Sequence, residues 1–216
     1  MGKEKTYAVF GLGRYGVAVA RELVENGREV MAVDVHQELV NDAAAYLPVC
    51  KCADVMDPEV IERLGIGGVD TVIVCMASNL EASVMAVTLC KEAGVPTVIA
   101  KCGSEMHRKI LLRVGADHVV FPEQESGIRL AKNLLSSGFI DMISLSKDVS
   151  MVEIDVKDDW VGKSLVELGL RNKYDINVVA IRDGETISTT VDPALPLMRE
   201  MKLFVIANPA KLRKLK

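Results

Sequence analysis

A doubly wound, Rossmann-like parallel α/β sheet followed by a small α+β domain is the fold this sequence predicts, on three observations. The first two thirds of its 216 residues alternate short apolar runs with amphipathic stretches, the pattern of strands joined by crossover helices. The first run, Tyr7-Ala8-Val9-Phe10, opens into Gly11-Leu12-Gly13-Arg14-Tyr15-Gly16, the glycine turn that carries a strand into a helix under a nucleotide's phosphates. After Gly138 the elements become shorter and turn-rich. The expected organisation is therefore a nucleotide-binding domain over residues 1–137 and a second domain over 138–216.

Taken in order, strands are expected at Tyr7–Phe10, Val30–Val33, Val49–Lys51, Thr71–Cys75, Thr97–Ala100 and His118–Phe121. The spacing leaves room for a right-handed crossover helix between each pair. Helices are expected at Arg14–Asn26, Gln37–Tyr46, Pro58–Leu64, Leu80–Ala93 and Glu105–Val114, ended by Gly27, Gly65, Gly94 with Pro96, and Gly115. A further helix over Glu123–Ser137 places Ile128, Leu130, Ala131, Leu134 and Leu135 on more than one face. Such a helix needs two surfaces to bury against: its own sheet, or in part a second subunit. Beyond it the pattern predicts a short helical piece at Phe139–Leu145, strands at Met151–Val156, Val178–Ile181 and Leu203–Ile206, and one or two helical turns at Ser164–Leu168. Asp183-Gly184 fits a two-residue hairpin turn into Glu185–Ser188, and a basic helix follows from Pro209.

Composition narrows the class. Half the residues are apolar, yet the longest apolar runs are four to six residues, far short of the roughly 20 that cross a bilayer. The charged start, Met1-Gly2-Lys3-Glu4-Lys5, leaves no room for a signal peptide, so a cytoplasmic location is expected. A formal charge of −4 argues against a nucleic-acid polymer as partner. The odd set Cys50, Cys52, Cys75, Cys90 and Cys102 reads as small core side chains in a reducing compartment. Cys50 and Cys52 share one strand face and are open to reading as a redox or metal pair, although no second cluster completes four ligands.

Ligands of open parallel sheets lie at the carboxyl ends of the strands, and several residues fall there. Asp34 closes strand two, 18 residues after Gly16, where a carboxylate accepts the ribose hydroxyls. Val35 and His36 after it offer nothing to a 2′-phosphate, so the adenosine is expected to be unphosphorylated there. Ala53-Asp54 follows strand three beside an adenine position. Asn79, with Ser83 a turn on, follows strand four and also suits a helix cap. Lys101 ends strand five. Arg14 sits beside the phosphates, favouring ADP or ATP over the less charged pyrophosphate of NAD. Glu123, after strand six, suits either a divalent cation next to those phosphates or a helix N-terminal acid. His36, His107 and His118 are scattered, and no nucleophile with a base or metal triad is visible, so no enzyme is expected.

Together Gly11-Leu12-Gly13-Arg14-Tyr15-Gly16, Ala53-Asp54, Asn79-Leu80-Glu81-Ala82-Ser83, Gly115-Ala116-Asp117 and Pro122-Glu123 resemble the RCK (KTN) nucleotide-binding domain. The stretch Leu170–Ile181 resembles the C-terminal RCK domain. The resemblance spans essentially the whole chain and is closest to the single-copy regulatory subunits of Ktr and Trk potassium uptake systems. It implies an octameric ring docked under a membrane-embedded potassium-translocating subunit, with ATP and ADP favouring different ring shapes. By the same resemblance Arg14 contacts phosphates across a dimer, Asp34 the ribose, and Glu123 a Mg²⁺ or Ca²⁺ ion associated with ATP. Arg171 and Asn177 match positions that bind cyclic di-AMP. The chain departs from the pattern at Cys52-Ala53-Asp54 and at Asp175, where glycines are common. Two competing expectations are a small NAD-dependent oxidoreductase and an NAD(H)-binding redox sensor.

Overall fold

The computed structural model describes residues 4–135, 139–146, 149–208 and 211. The chain divides into two compact units, Met1–Glu123 and Gln124–Lys216. In the first, strands β1 (Thr6–Phe10), β2 (Glu29–Asp34), β3 (Val49–Cys52), β4 (Thr71–Val74), β5 (Thr97–Lys101) and β6 (His118–Val120) alternate with helices α1 (Arg14–Glu25), α2 (Gln37–Ala43), α3 (Pro58–Arg63), α4 (Leu80–Glu92) and α5 (Glu105–Arg113). A single 3-10 turn, Ile66–Gly68, lies between α3 and β4. The sheet order is β3-β2-β1-β4-β5-β6 with every pairing parallel. All six strands and five helices expected in this region are present, with ends coinciding or differing by at most three residues.

Alternation along the strands fills two cores. Ala8 and Phe10 of β1 pack with Val72, Val74, Val98 and Ala100 on one face, while Val9 packs with Val30, Ala32 and Ile73 on the other. A parallel sheet covered on both sides needs this near-continuous apolar sequence. Helix starts are set by side-chain acceptors: Asp57 takes the Glu59 N–H with Pro58 behind it, Asn79 takes that of Ala82, and Ser104 that of His107. Gly94 (φ 82°) ends α4, its N–H reaching Lys91 O while Val95 N–H reaches Cys90 O, a left-handed stop that a residue with a Cβ resists. At the amino end of the sheet Asp70 clasps β1 to β4. One carboxylate oxygen accepts both the Thr6 N–H (2.8 Å) and the Thr6 hydroxyl (3.0 Å), and the Asp70 N–H returns to Thr6 Oγ1 at 3.2 Å.

Helix α6 (Pro122–Leu135) leads out of the first unit. The second unit is an antiparallel sheet of order β10-β9-β11-β8-β7, built from β7 (Phe139–Ser144), β8 (Ser150–Asp155), β9 (Asn177–Asp183), β10 (Thr186–Ser188) and β11 (Lys202–Ala207). Val152, Ile154, Leu203 and Val205 bury one face against Trp160, Leu168, Leu170 and Leu197. Glu153, 4% exposed, has Arg182 Nε 2.8 Å away on that unit's sheet, and the guanidinium lies 5.4 Å from the Phe204 ring.

Three expectations are corrected in the second unit. Phe139–Leu145, expected as helix, is strand β7. Its register slips between Phe139 and Met142, and a bulge of this kind resets the alternation so that the apolar spacing imitates a helix. The hairpin loop is Gly184-Glu185, not Asp183-Gly184. Asp183 still pairs with Thr186, and Gly184 supplies the positive φ (56°) at the first loop position. Helix α8 (Leu170–Tyr174), not foreseen, follows α7 (Leu165–Leu168) across Gly169 and ends at Asp175 with φ 56°. The capping box of Ser164 and Glu167 starts α7. The basic segment expected from Pro209 lies outside the described residues, apart from Lys211.

Candidate functional site

The strand order reverses at β1, whose neighbours are β2 and β4. A crevice opens there beyond the carboxyl ends of the strands, as in other open α/β sheets. It holds a cavity of about 330 Å³ walled by Gly11, Gly13, Asp34, His36, Asp54, Ser78 and Asn79 among its polar and glycine members, with Val33, Val35, Leu39, Ala53, Val55, Met56, Cys75, Met76 and Ala82 completing it.

The three glycines of the turn have different causes. A Cβ on Gly16 would fall 1.9 Å from the Gly11 carbonyl oxygen and 3.3 Å from Cys75 Cβ, so α1 can approach the turn and β4 only without one. Gly11 holds φ 92°, and a Cβ there would meet Met76 Cγ at 2.9 Å. Gly13 has nothing within 4 Å of its Cβ position and lies in ordinary extended backbone (φ −68°, ψ 179°). The protein's own packing therefore explains Gly11 and Gly16 but not Gly13, whose missing side chain leaves a backbone surface open for close approach. Helix α1 starts there with no side-chain cap and no acid in its first turn. Its positive dipole end faces the opening uncompensated by any carboxylate of its own first turn. The residues present fit a nucleotide's phosphates.

Asp34 is 9% exposed and accepts from three donors. The Leu12 N–H reaches Oδ2 at 2.6 Å, while the His36 N–H (2.8 Å) and His36 Nδ1 (2.9 Å) meet Oδ1. Burial works against its charge, but the N–H groups of His36 and Leu12 outweigh burial and hold the carboxyl below its ordinary range. Asp34 thus remains ionised while bracing the glycine turn. Asp54 Oδ1 accepts the Met56 N–H at 2.9 Å, which shapes the turn after β3. Asn79 caps α4 from the cavity side through its bond from Ala82 N–H, 3.0 Å. Ser83 is turned inward, its hydroxyl donating to Met76 O and Asn79 O. Burial pushes the Cys75 thiol up to about 12, so it contributes a neutral wall.

Arg14, Tyr15, Gly16, Lys101 and Glu123 do not wall this cavity. Lys101 Nζ instead pairs with Glu123 Oε1 at 2.6 Å and stands 5.4 Å from the Tyr15 ring centroid. The Lys101 hydrogen bond holds the Glu123 carboxyl below the usual range, with a smaller contribution from Arg14. Glu123 therefore finds its counter-charge in a side chain of its own chain. Among the described residues no group of three or more His, Cys, Asp or Glu could hold a metal ion. Cys50 and Cys52 lie on the edge strand β3, their thiols directed to separate carbonyls, Leu47 O and Val35 O. Arg171 and Asn177 lie in the second unit, exposed, on either side of Asp175, whose carboxylate pairs with Lys211 at 2.6 Å.

Of the residues expected at the site, the structure brings Gly11, Gly13, Asp34, Ala53, Asp54 and Asn79 to one cavity. Met56, Cys75 and Met76 are not among the residues expected at the site and His36 is expected there only as offering nothing to a 2′-phosphate; the four share one signal, since each stands within a few residues of the carboxyl end of β2, β3 or β4. Among the described residues no helix is long and apolar enough to cross a membrane.

The family model of the TrkA-N domain matches residues 7–122, and that of the TrkA-C domain residues 149–216. The chain is 36% identical to the Ktr system potassium uptake protein C of Bacillus subtilis, over 95% of this chain and 93% of that protein. It is 31% identical to the Ktr system potassium uptake protein A of Vibrio alginolyticus, over 97% of this chain and 95% of that protein. Among solved structures, the GsuK channel bound to NAD superposes with a TM-score of 0.64 at 15% identity, covering 97% of this chain and 38% of that one. The TrkA-N domain of the inner membrane protein ybaL from Escherichia coli gives 0.55 at 15% identity, covering 62% and 99%. These two likenesses are of fold.

Proposed function

This chain belongs to the TrkA-N/TrkA-C family of Ktr and Trk potassium-uptake regulatory subunits, and from that premise we propose that it is a nucleotide-sensing gating subunit. It binds an adenine nucleotide at the β1/β4 switch point, and the bound state biases the shape of a ring of copies that controls a membrane-embedded potassium-translocating partner. The observation that carries the reading is the open backbone at Gly13 facing an uncapped α1, with ionised Asp34 behind it. Residues 1–137 act as the sensing domain and 138–216 as the C-terminal domain, and the role requires no catalytic residue.

A ligand moves such an assembly only by binding its two shapes unequally. The γ-phosphate that distinguishes ATP from ADP supplies that difference at Arg14 and Lys101. A Mg²⁺ or Ca²⁺ ion would require Lys101 to release Glu123, with phosphate oxygens completing the ion's ligands. A second copy is supported by α6, which leaves Ile128, Leu130 and Leu134 50%, 60% and 75% exposed; an octameric ring is the assembly the family resemblance implies. The chain then works on the cytoplasmic face of the membrane through its partner. A second reading, NAD(H) as the sensed ligand, is favoured by a cavity wall that, among the described residues, holds no lysine or arginine.

Titration calorimetry of the purified protein with ATP, ADP, NAD and NADH separates the two. ATP and ADP are expected to bind with different enthalpies and affinities, and far tighter binding of NADH than of ATP replaces the first reading by the second. Cyclic di-AMP is tested in the same way on the parent chain and on Arg171→Ala, with loss of binding expected in the variant and silence in the parent ending that proposal.

A further inference from the structure

We infer that His36 sets how strongly this site recognises the ribose hydroxyls, by competing with them for Asp34 Oδ1. The inference rests on the nucleotide reading above. An ionised carboxylate has about four acceptor positions. Here Oδ1 takes the His36 N–H at 2.8 Å and lies 2.9 Å from His36 Nδ1, while Oδ2 takes the Leu12 N–H at 2.6 Å. Two hydroxyls of a ribose therefore meet one open position, and the second opens only when the imidazole withdraws. Both backbone donors are fixed by the fold, whereas the His36 ring is 72% exposed and makes no cap bond to α2. The ring is the one donor of the three that is free to leave.

The imidazole must give up Oδ1 before a second ribose hydroxyl can bond the carboxylate, so its hold on that oxygen weakens hydroxyl recognition and leaves the glycine turn at the phosphate end untouched. Besides His36, the titratable groups of the cavity wall are Asp34 on β2, Asp54 after β3 and Cys75 after β4; Cys52 on β3 bonds the Val35 carbonyl, and Glu38 stands in the first turn of α2. Among the described residues the glycine turn adds none to the cavity wall, and the β4–α4 turn adds Cys75 alone.

The test compares ADP with 2′-deoxy-ADP and 3′-deoxy-ADP, because phosphate charge and its own titration near pH 6 cancel in the ratio. At one fixed pH, ADP is expected to bind the parent less than about threefold tighter than the more affected deoxy analogue. His36→Ala should raise that preference to about tenfold. An equal ratio in the parent and in His36→Ala overturns the inference while leaving nucleotide binding intact. No binding of ADP, ATP or NAD removes the nucleotide reading itself, and this inference with it.

Discussion

Replacing Gly13 and Gly16 by alanine, one at a time, should give effects of opposite sign on stability. At Gly16 the new methyl would lie 1.9 Å from the Gly11 carbonyl oxygen, with the Gly11 carbonyl carbon at 3.1 Å and Cys75 Cβ at 3.3 Å. Backbone cannot yield as a flexible side chain does, so α1 must shift, at a cost of about 1–3 kcal/mol or more. At Gly13 the methyl meets nothing within 4 Å, and φ −68° suits any residue. There alanine should stabilise the free protein by about 0.4–1 kcal/mol through a less flexible unfolded chain. The same methyl stands where phosphate must approach, so nucleotide affinity should fall about tenfold or more. At a ligand concentration about 100 times the parent's Kd, the ligand contributes about 2.7 kcal/mol to the parent, and about 1.4 kcal/mol to a variant bound tenfold more weakly. Thermal unfolding with and without ADP reads both effects. An unchanged ADP-induced shift in Gly13→Ala, or its earlier unfolding without ligand, would refute the assignment of that backbone to phosphate.

Arg14→Ala should weaken ATP more than adenosine in calorimetry, and equal losses reject its phosphate role. Glu123→Gln should reduce the effect of added Mg²⁺ or Ca²⁺ on ATP affinity; an unchanged metal effect leaves Glu123 to Lys101 alone. The folded Asp34 carboxyl titrates below its ordinary value, so its contribution to stability is present above about pH 4 and is lost as pH falls through the folded value. Melting curves of the parent and Asp34→Asn should therefore converge in acid, and a constant gap down to about pH 2 contradicts this. Arg182→Ala leaves the Glu153 carboxylate buried without its partner and should cost about 2 kcal/mol in denaturant melts. That is less than the 3–5 of fully buried pairs, because the arginine is 38% exposed. Glu153→Met with Arg182→Leu should recover most of it, and no loss in the single variant refutes the pairing.

The first unit was legible in the sequence because its signals agree at every level. Apolar runs, glycine or proline stops and Asn, Asp or Ser caps all mark the same boundaries, and agreement of that kind is what specifies a fold. Asp34 and the glycine turn were legible because their spacing is local to one βαβ unit. The cavity's Met56, Met76 and Cys75 were not, since they become neighbours only through the strand order around β1. The Lys101–Glu123 pair was hidden for a similar reason: it depends on β5 lying beside β6. In the second unit, a bulge in β7 and a five-residue helix between Gly169 and Asp175 carry no period long enough to read.

Thr6 and Asp70 tie the two central strands at the end away from the crevice, and the ladder from Tyr7 and Thr71 to Phe10 and Val74 runs unbroken between. Such a pair behaves like tongs welded at the pivot: a molecule gripped at the tips cannot spread the arms. Whatever distinguishes an occupied copy from an empty one must then travel through the turns that follow β1, β2, β3 and β4. Spectroscopic labels belong on those turns, and labels within the strands should stay silent.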